Sequence, residues 1–139
     1  MSRKIFCLIA VLFCIQLFSV DAQTYSSLWK QADDALEKDL PQTRIEVLRK
    51  IEAKAEKEGD YGQMMKSMLA IVSQQVHISP DSLGVNVKRL EKRYAATADE
   101  VQKAVLGAVL SHIYKNNPSI NDSSKVIAKR YATEAMVNP

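Results

Sequence analysis

Apolar residues recur along this chain at three- and four-residue spacing, separated by short polar breaks, and no segment shows the two-residue alternation of a half-buried strand. The first amphipathic stretch runs from about Ser26 to Asp39, with Leu28, Trp29, Ala32, Ala35 and Leu36 on one stripe and Asp33, Asp34, Glu37 and Lys38 opposite. Asp39 and Pro41 stop it and restart the chain, because proline lacks an N–H that a helix interior needs but a first turn does not. The second helix carries Ile45, Val47, Leu48, Ile51 and Ala55. Its apolar face is wide enough to predict neighbours on two sides.

The break "KEGDYG" (Lys57 to Gly62) supplies a glycine suited to a left-handed C-cap and an Asp able to cap the next helix. Helix three then presents Tyr61, Met64, Met65, Met68, Leu69, Val72 and Val76. "HISPDS" reads as a loop with a proline-led helix start, and helix four holds Leu83, Val87, Leu90 and Tyr94. "TADE" (Thr97 to Glu100) has the form of a capping box. Helix five contains "AVLGAVL" (Ala104 to Leu110), apolar on every side, which predicts burial all round. Gly107 within it costs roughly 1 kcal/mol of helix propensity against Ala, and close approach by a neighbouring helix would explain that cost. "KNNPSINDSS" (Lys115 to Ser124) is a loop, and helix six runs from about Ser124 to Met136 with Val126, Ile127, Tyr131 and Ala135 inward.

The expected fold is all-α, six helices pairing as hairpins over 25–58, 60–97 and 98–137. A period of about 34 to 40 residues is that of an α-solenoid of tetratricopeptide-like (TPR-like) hairpins. A compact six-helix bundle is the alternative.

The N-terminus changes which residues belong to that fold. Arg3 and Lys4 precede the uncharged run "IFCLIAVLFCIQLF" (Ile5 to Phe18), and Val20 and Ala22 occupy the small-residue positions of a cleavage site. This predicts a secretory signal peptide over 1–22, cleaved after Ala22, and a mature domain of residues 23–139 beginning at Gln23. A membrane anchor fits less well, since the run is shorter than the roughly 20 residues that span a bilayer. Cys7 and Cys14 both fall in the removed segment, so the mature chain is expected to fold without a disulfide or a thiol ligand. Phe13 before Cys14 argues against a lipoprotein site.

Removing Arg3, Lys4 and Asp21 leaves 17 basic and 15 acidic side chains, a balance that argues against a dedicated nucleic-acid surface. The densest cluster, Lys88, Arg89, Lys92 and Arg93, forms one helical edge that reads as solvated, with an anionic partner as the alternative. Candidate chemistry is sparse. His77 and His112 stand in different hairpins with no zinc-type spacing. Met64, Met65 and Met68 could form a soft copper site, but their spacing continues into Leu69, Val72 and Val76, and core packing is the favoured reading. The carboxylates Asp33, Asp34 and Glu37 read as a solvating face. Glycines at 59, 62, 84 and 107 make no phosphate loop, and no Gly-x-Ser-x-Gly word is present. No catalytic, cofactor-binding or metal-ligating residue is assigned, and the expected function is not enzymatic.

One resemblance narrows that expectation. Tyr25, Leu28, Trp29 and Lys30, then Lys38, Asp39, Leu40, Pro41 and Thr43, then Ile51, and later Pro80, Asp81, Ser82 and Leu90, make this chain similar to the helical region following the signal peptide in secreted bacterial proteins of the alpha-2-macroglobulin family. The likeness covers most of residues 23 to 115. It implies a place beside a large protease trap built of β-domains, with a bait region and, in some members, a thioester. None of those parts is in this chain, so no functional residue transfers, and the sequence ends at "AMVNP" where longer relatives continue. The expectation is an exported scaffold or interaction module of the periplasm or cell envelope, a truncated or split member that contacts a protein partner or the rest of a macroglobulin-like protein, with no nucleic acid and no stable membrane anchor. The alternative is a stand-alone periplasmic helical-repeat adaptor holding a peptide or protein between its hairpins. A small enzyme or metal carrier is a third class, and it lacks the motifs such chemistries require.

Overall fold

The Thr24 hydroxyl accepts from the Ser27 amide and starts α1, Tyr25–Glu37, in a computed structural model that describes residues 23–137. The expected signal peptide over 1–22 and its cleavage site lie outside the described residues. Asp39 adopts a left-handed φ of 52°, which a short polar side chain tolerates, and the Leu40 amide bonds back to Ala35. The chain then restarts with Pro41 as the first residue of α2, Pro41–Glu58. Gly59, at φ 68°, ends α2, and the Asp60 carboxylate accepts from the Gln63 amide to open α3, Tyr61–Ile78.

The sequence reads His77 and Ile78 as loop, whereas α3 continues through both before a short 3-10 turn, Pro80–Ser82. Helix α4 is Leu83–Ala96 and α5 is Glu100–Asn116. The cap of α5 is Asp99, whose carboxylate accepts from the Gln102 amide, and not the expected Thr97. Thr97 instead finishes α4, its amide bonding to Arg93, so the chain needs two more residues to turn. A second 3-10 turn, Pro118–Ile120, leads to α6, Ser124–Val137. The protein is all-helical over its described residues, with six α-helices and no strand.

Two apolar clusters fill the interior. Leu28 and Ala32 of α1, Ile45, Val47, Leu48 and Ile51 of α2 and Ile71 of α3 form the first. Met65 and Met68 of α3, Val87 and Leu90 of α4, Leu106, Leu110 and Tyr114 of α5 and Ala128 and Tyr131 of α6 form the second. Helix α3 therefore faces both clusters and joins them. Helix α2 packs on both α1 and α3, as its wide apolar face predicts.

Three expected core positions are different. Leu36, Tyr61 and Val126 are 51%, 50% and 72% exposed, and the inward position of α6 near Val126 is taken by Ala128. The apolar ring of α5 is only half enclosed: Leu106, Gly107 and Leu110 are buried, while Val101 and Val105 are 72% and 43% exposed. An all-apolar sequence permits burial on every side, but α3, α4 and α6 cover only one arc.

Contacts also link helices two apart. Trp29 Nε1 of α1 donates to Gln63 Oε1 of α3 at 2.7 Å, and Lys66 Nζ lies 4.1 Å from the Trp29 ring centre. Arg89 and Arg93 of α4 pair with Glu52 and Glu56 of α2. Tyr94 of α4 meets Tyr131 of α6 edge-on, with ring centres 5.1 Å apart. Half of the expected solvated basic edge is thus engaged, while Lys88 and Lys92 are exposed. Between consecutive helices, α5 with α6 and α2 with α3 pack most closely, and α3 with α4 least.

Candidate functional site

The residues the sequence offers for metal or acid-base chemistry do not converge. His77 is exposed near the end of α3 and His112 is exposed on α5, where its Nε2 lies 3.1 Å from Asn116 Nδ2. Met64, Met65 and Met68 are all buried, and Met65 and Met68 belong to the second core cluster. The Arg93 guanidinium lies against the Met64 sulfur. Among the described residues, no group of three or more His, Cys, Asp and Glu side chains is placed to hold a metal ion, and no helix is long and apolar enough to cross a membrane. Asp33, Asp34 and Glu37 sit on the outer side of α1, with Asp34 paired to Lys30.

What the fold does gather is a phenol and carboxylate cluster between α4, α5 and α6. Tyr114 and Tyr131 both donate to Glu91 Oε1, at 2.9 and 3.2 Å, and Tyr94 donates to Glu134 Oε2 at 2.5 Å. Burial first, and the Glu91 hydrogen bond second, push the Tyr114 phenol up to about 12. Burial and Glu134 do the same for Tyr94, also to about 12, and burial with the Glu91 charge raises Tyr131. These groups satisfy one another and hold three helices together.

The sign of that linkage is testable. A phenol held protonated in the folded chain but ionising near its usual value of about 10 when unfolded leaves the native state with more protons between roughly pH 10 and 12. Its stabilising contribution is complete below about pH 10 and is lost as pH rises toward about 12. Urea midpoints measured across this range are expected to fall, and Tyr114→Phe, which removes the titrating group, is expected to flatten the fall. An unchanged slope in Tyr114→Phe would contradict the assignment.

Two open grooves flank α3. One, of about 510 Å³, lies between α3, the start of α4 and α5, lined by Leu69, Val72 and Val76 on one side and by Ala108, Val109 and Ile113 on the other. Its lining is almost wholly apolar, with Ser73 and His112 at the polar positions, and it adjoins the exposed Val105. The other, of about 600 Å³, lies between α2, the C-terminal end of α3 and the start of α4, and carries arginine, glutamate and amide side chains.

Sequence patterning did not single out either groove. The apolar residues of the first share helical stripes with core positions, and only the incomplete cover over α5 separates them. Arg49 and Asn86 of the second sit on amphipathic helices whose neighbours decide whether they face water or a cleft. Comparison with known proteins gives no match to a protein-family model, to a curated protein or to a solved structure.

Proposed function

We propose that this chain is an exported, non-enzymatic helical module whose three hairpins stack as a TPR-like array. In this reading it serves as a scaffold or contact-making part for an envelope protease inhibitor of the alpha-2-macroglobulin type. The observation that carries the array is the spacing of its cross-hairpin contacts. Trp29 and Gln63 are 34 residues apart, Glu52 and Arg89 are 37, and Glu91 and Tyr131 are 40, which is the period at which helical hairpins repeat.

The contact-making role is supported by the groove between α3 and α5, an apolar concavity beside the uncovered side of α5. The Leu28-Trp29-Lys30 and Lys38-Asp39-Leu40-Pro41 words support the macroglobulin-like context, and the Arg3-to-Ala22 pattern supports export. A stand-alone adaptor is the second reading, favoured by the same groove.

The test begins with processing: the mass of the protein recovered from the envelope of an exporting host is expected to start at Gln23. The downstream sequence in the same or an adjacent reading frame is inspected for macroglobulin-like β-domains, and the protein is titrated with any such domain found; finding none favours the adaptor. Saturable binding, weakened by Ala108→Asp in the apolar groove, is expected, with no slowing of a test protease by the module alone. Absence of binding would replace the inhibitor reading with the adaptor one, and protease inhibition by the module itself would overturn both.

A further inference from the structure

The second groove carries a recognition pattern of its own. We propose that the cleft between α2, the end of α3 and the start of α4 binds a short acidic, aliphatic peptide segment of a partner protein. Its volume of about 600 Å³ falls within the roughly 300 to 1,000 Å³ of ligand-binding clefts.

The charge of the lining sets the ligand's sign. Glu52, the one carboxylate in the wall, has a side chain only 15% exposed, and Arg89 Nη2 donates to both of its oxygens at 2.5 and 2.7 Å. That carboxylate is neutralised in place, and the same contact fixes the Arg89 guanidinium, whose Nε and Nη1 make no hydrogen bond among the described residues. Arg49 precedes Glu52 by three residues on the same side of α2 and lines the same cleft. It is exposed and makes no hydrogen bond or ion pair among the described residues. The wall therefore holds two guanidinium groups and one carboxylate already in use. A carboxylate entering from a ligand gains charge-assisted hydrogen bonds, and the planar fork of arginine suits it better than a point charge would.

The remainder of the lining selects a peptide. Gln42 and Gln75 supply side-chain amides for an extended backbone, the Asn86 amide being already bonded to Ser82, while Ile78 and Val85, 42% and 72% exposed, offer aliphatic contact. No aromatic side chain lines the cleft, so it lacks the rings on which nucleic-acid bases stack. Its concavity suits a chain segment better than a planar lipid surface. The inference rests on this lining alone and not on the macroglobulin-like reading, and a failure to bind the β-domain protein leaves it standing.

The test is fluorescence anisotropy of the purified protein with two labelled synthetic peptides, one alternating glutamate with leucine and valine, the other with glutamine replacing each glutamate. The acidic peptide is expected to bind about tenfold more tightly or better, the scale of one charge-assisted contact, and to weaken as salt is raised. Arg49→Glu is expected to lose that tenfold with an unchanged urea midpoint, and Val85→Asp to weaken both peptides. Lys88→Ala, outside the cleft, is expected to change nothing. Equal affinity for the two peptides, no binding at millimolar peptide, or full binding by Arg49→Glu would overturn the proposal. So would an Arg49-dependent preference for a single-stranded oligonucleotide or an anionic vesicle, or Arg49-dependent self-association without peptide.

Discussion

Leu106→Asp and Leu110→Asp are each expected to unfold much of the protein, while Val101→Asp on the same helix leaves it folded. Leu106 and Leu110 are fully enclosed in the cluster shared by α3, α4, α5 and α6. A carboxylate at either position loses its hydration and meets no cation, a cost on the order of 3 to 5 kcal/mol. Against a total stability of about 5 to 15 kcal/mol for a domain of ordinary size, that removes most of the margin. Val101 is 72% exposed, and an Asp there adds a solvated charge in the first turn of α5, where the helix dipole tolerates it. Its urea midpoint is expected to stay within about 0.5 kcal/mol of the parent, as is that of Lys88→Ala with Lys92→Ala on the exposed part of α4. Equal loss at positions 101 and 106 would mean that α5 is enclosed on every side.

Gly107→Leu carries the second large effect. A Cβ at this position would lie 3.3 Å from the Tyr131 carbonyl oxygen, 3.4 Å from Ala135 Cβ and 3.4 Å from Tyr94 Cε2. The backbone oxygen on α6 cannot swing aside as a side-chain tip can, so the closest packed helix pair in the fold must separate to admit a branched side chain. A loss of about 1 to 3 kcal/mol is expected from overpacking. Gly107→Ala divides the effect: its single methyl meets the same tight contacts but gains roughly 1 kcal/mol of helix propensity, so its midpoint is expected close to the parent's. Urea titration of both variants, with the slope checked for constancy, measures this. A Leu variant as stable as the Ala variant would remove the close approach from the account.

The contrast between Leu106 and Val101 also shows what could be read before the fold was known. The apolar spacing of "AVLGAVL" and the lone Gly107 identified a helix and its point of close approach, because both follow from local geometry. Which side of that helix stays open depends on how many neighbours the chain supplies, and the sequence around residues 101 to 112 holds no such information. The cap of α5 failed for a related reason. Thr97 and Asp99 are both good capping residues, and the choice fell to Asp99 because Thr97 was used to finish α4. By contrast, Gly59 and Asp60 were legible, since a left-handed C-cap followed at once by a side-chain N-cap leaves the backbone few alternatives.

The polar contacts were the least legible. Arg89 and Arg93 looked like a solvated edge because their partners, Glu52 and Glu56, lie 37 residues earlier on α2. Tyr94, Tyr114 and Tyr131 gave no sign that two of them share Glu91. Such pairs exist only once the helices have packed, most of them joining helices two apart in the chain and Tyr114 with Glu91 joining α5 to α4. The two grooves arise from the same packing, one beside the open arc of α5 and the other where Arg89 of α4 reaches Glu52 of α2 across the end of α3.

Proton nuclear Overhauser spectroscopy on residues 23–139 tests that packing most directly, because the pairs that define it are aromatic and few. Cross-peaks are expected from the Trp29 indole to Gln63 and Lys66, and between the rings of Tyr94 and Tyr131, all of them joining helices two apart. Cross-peaks from Trp29 to α5 or α6, or from Tyr131 to α1 or α2, would instead describe a bundle closed on itself and would contradict the stacked hairpins on which the proposed function rests.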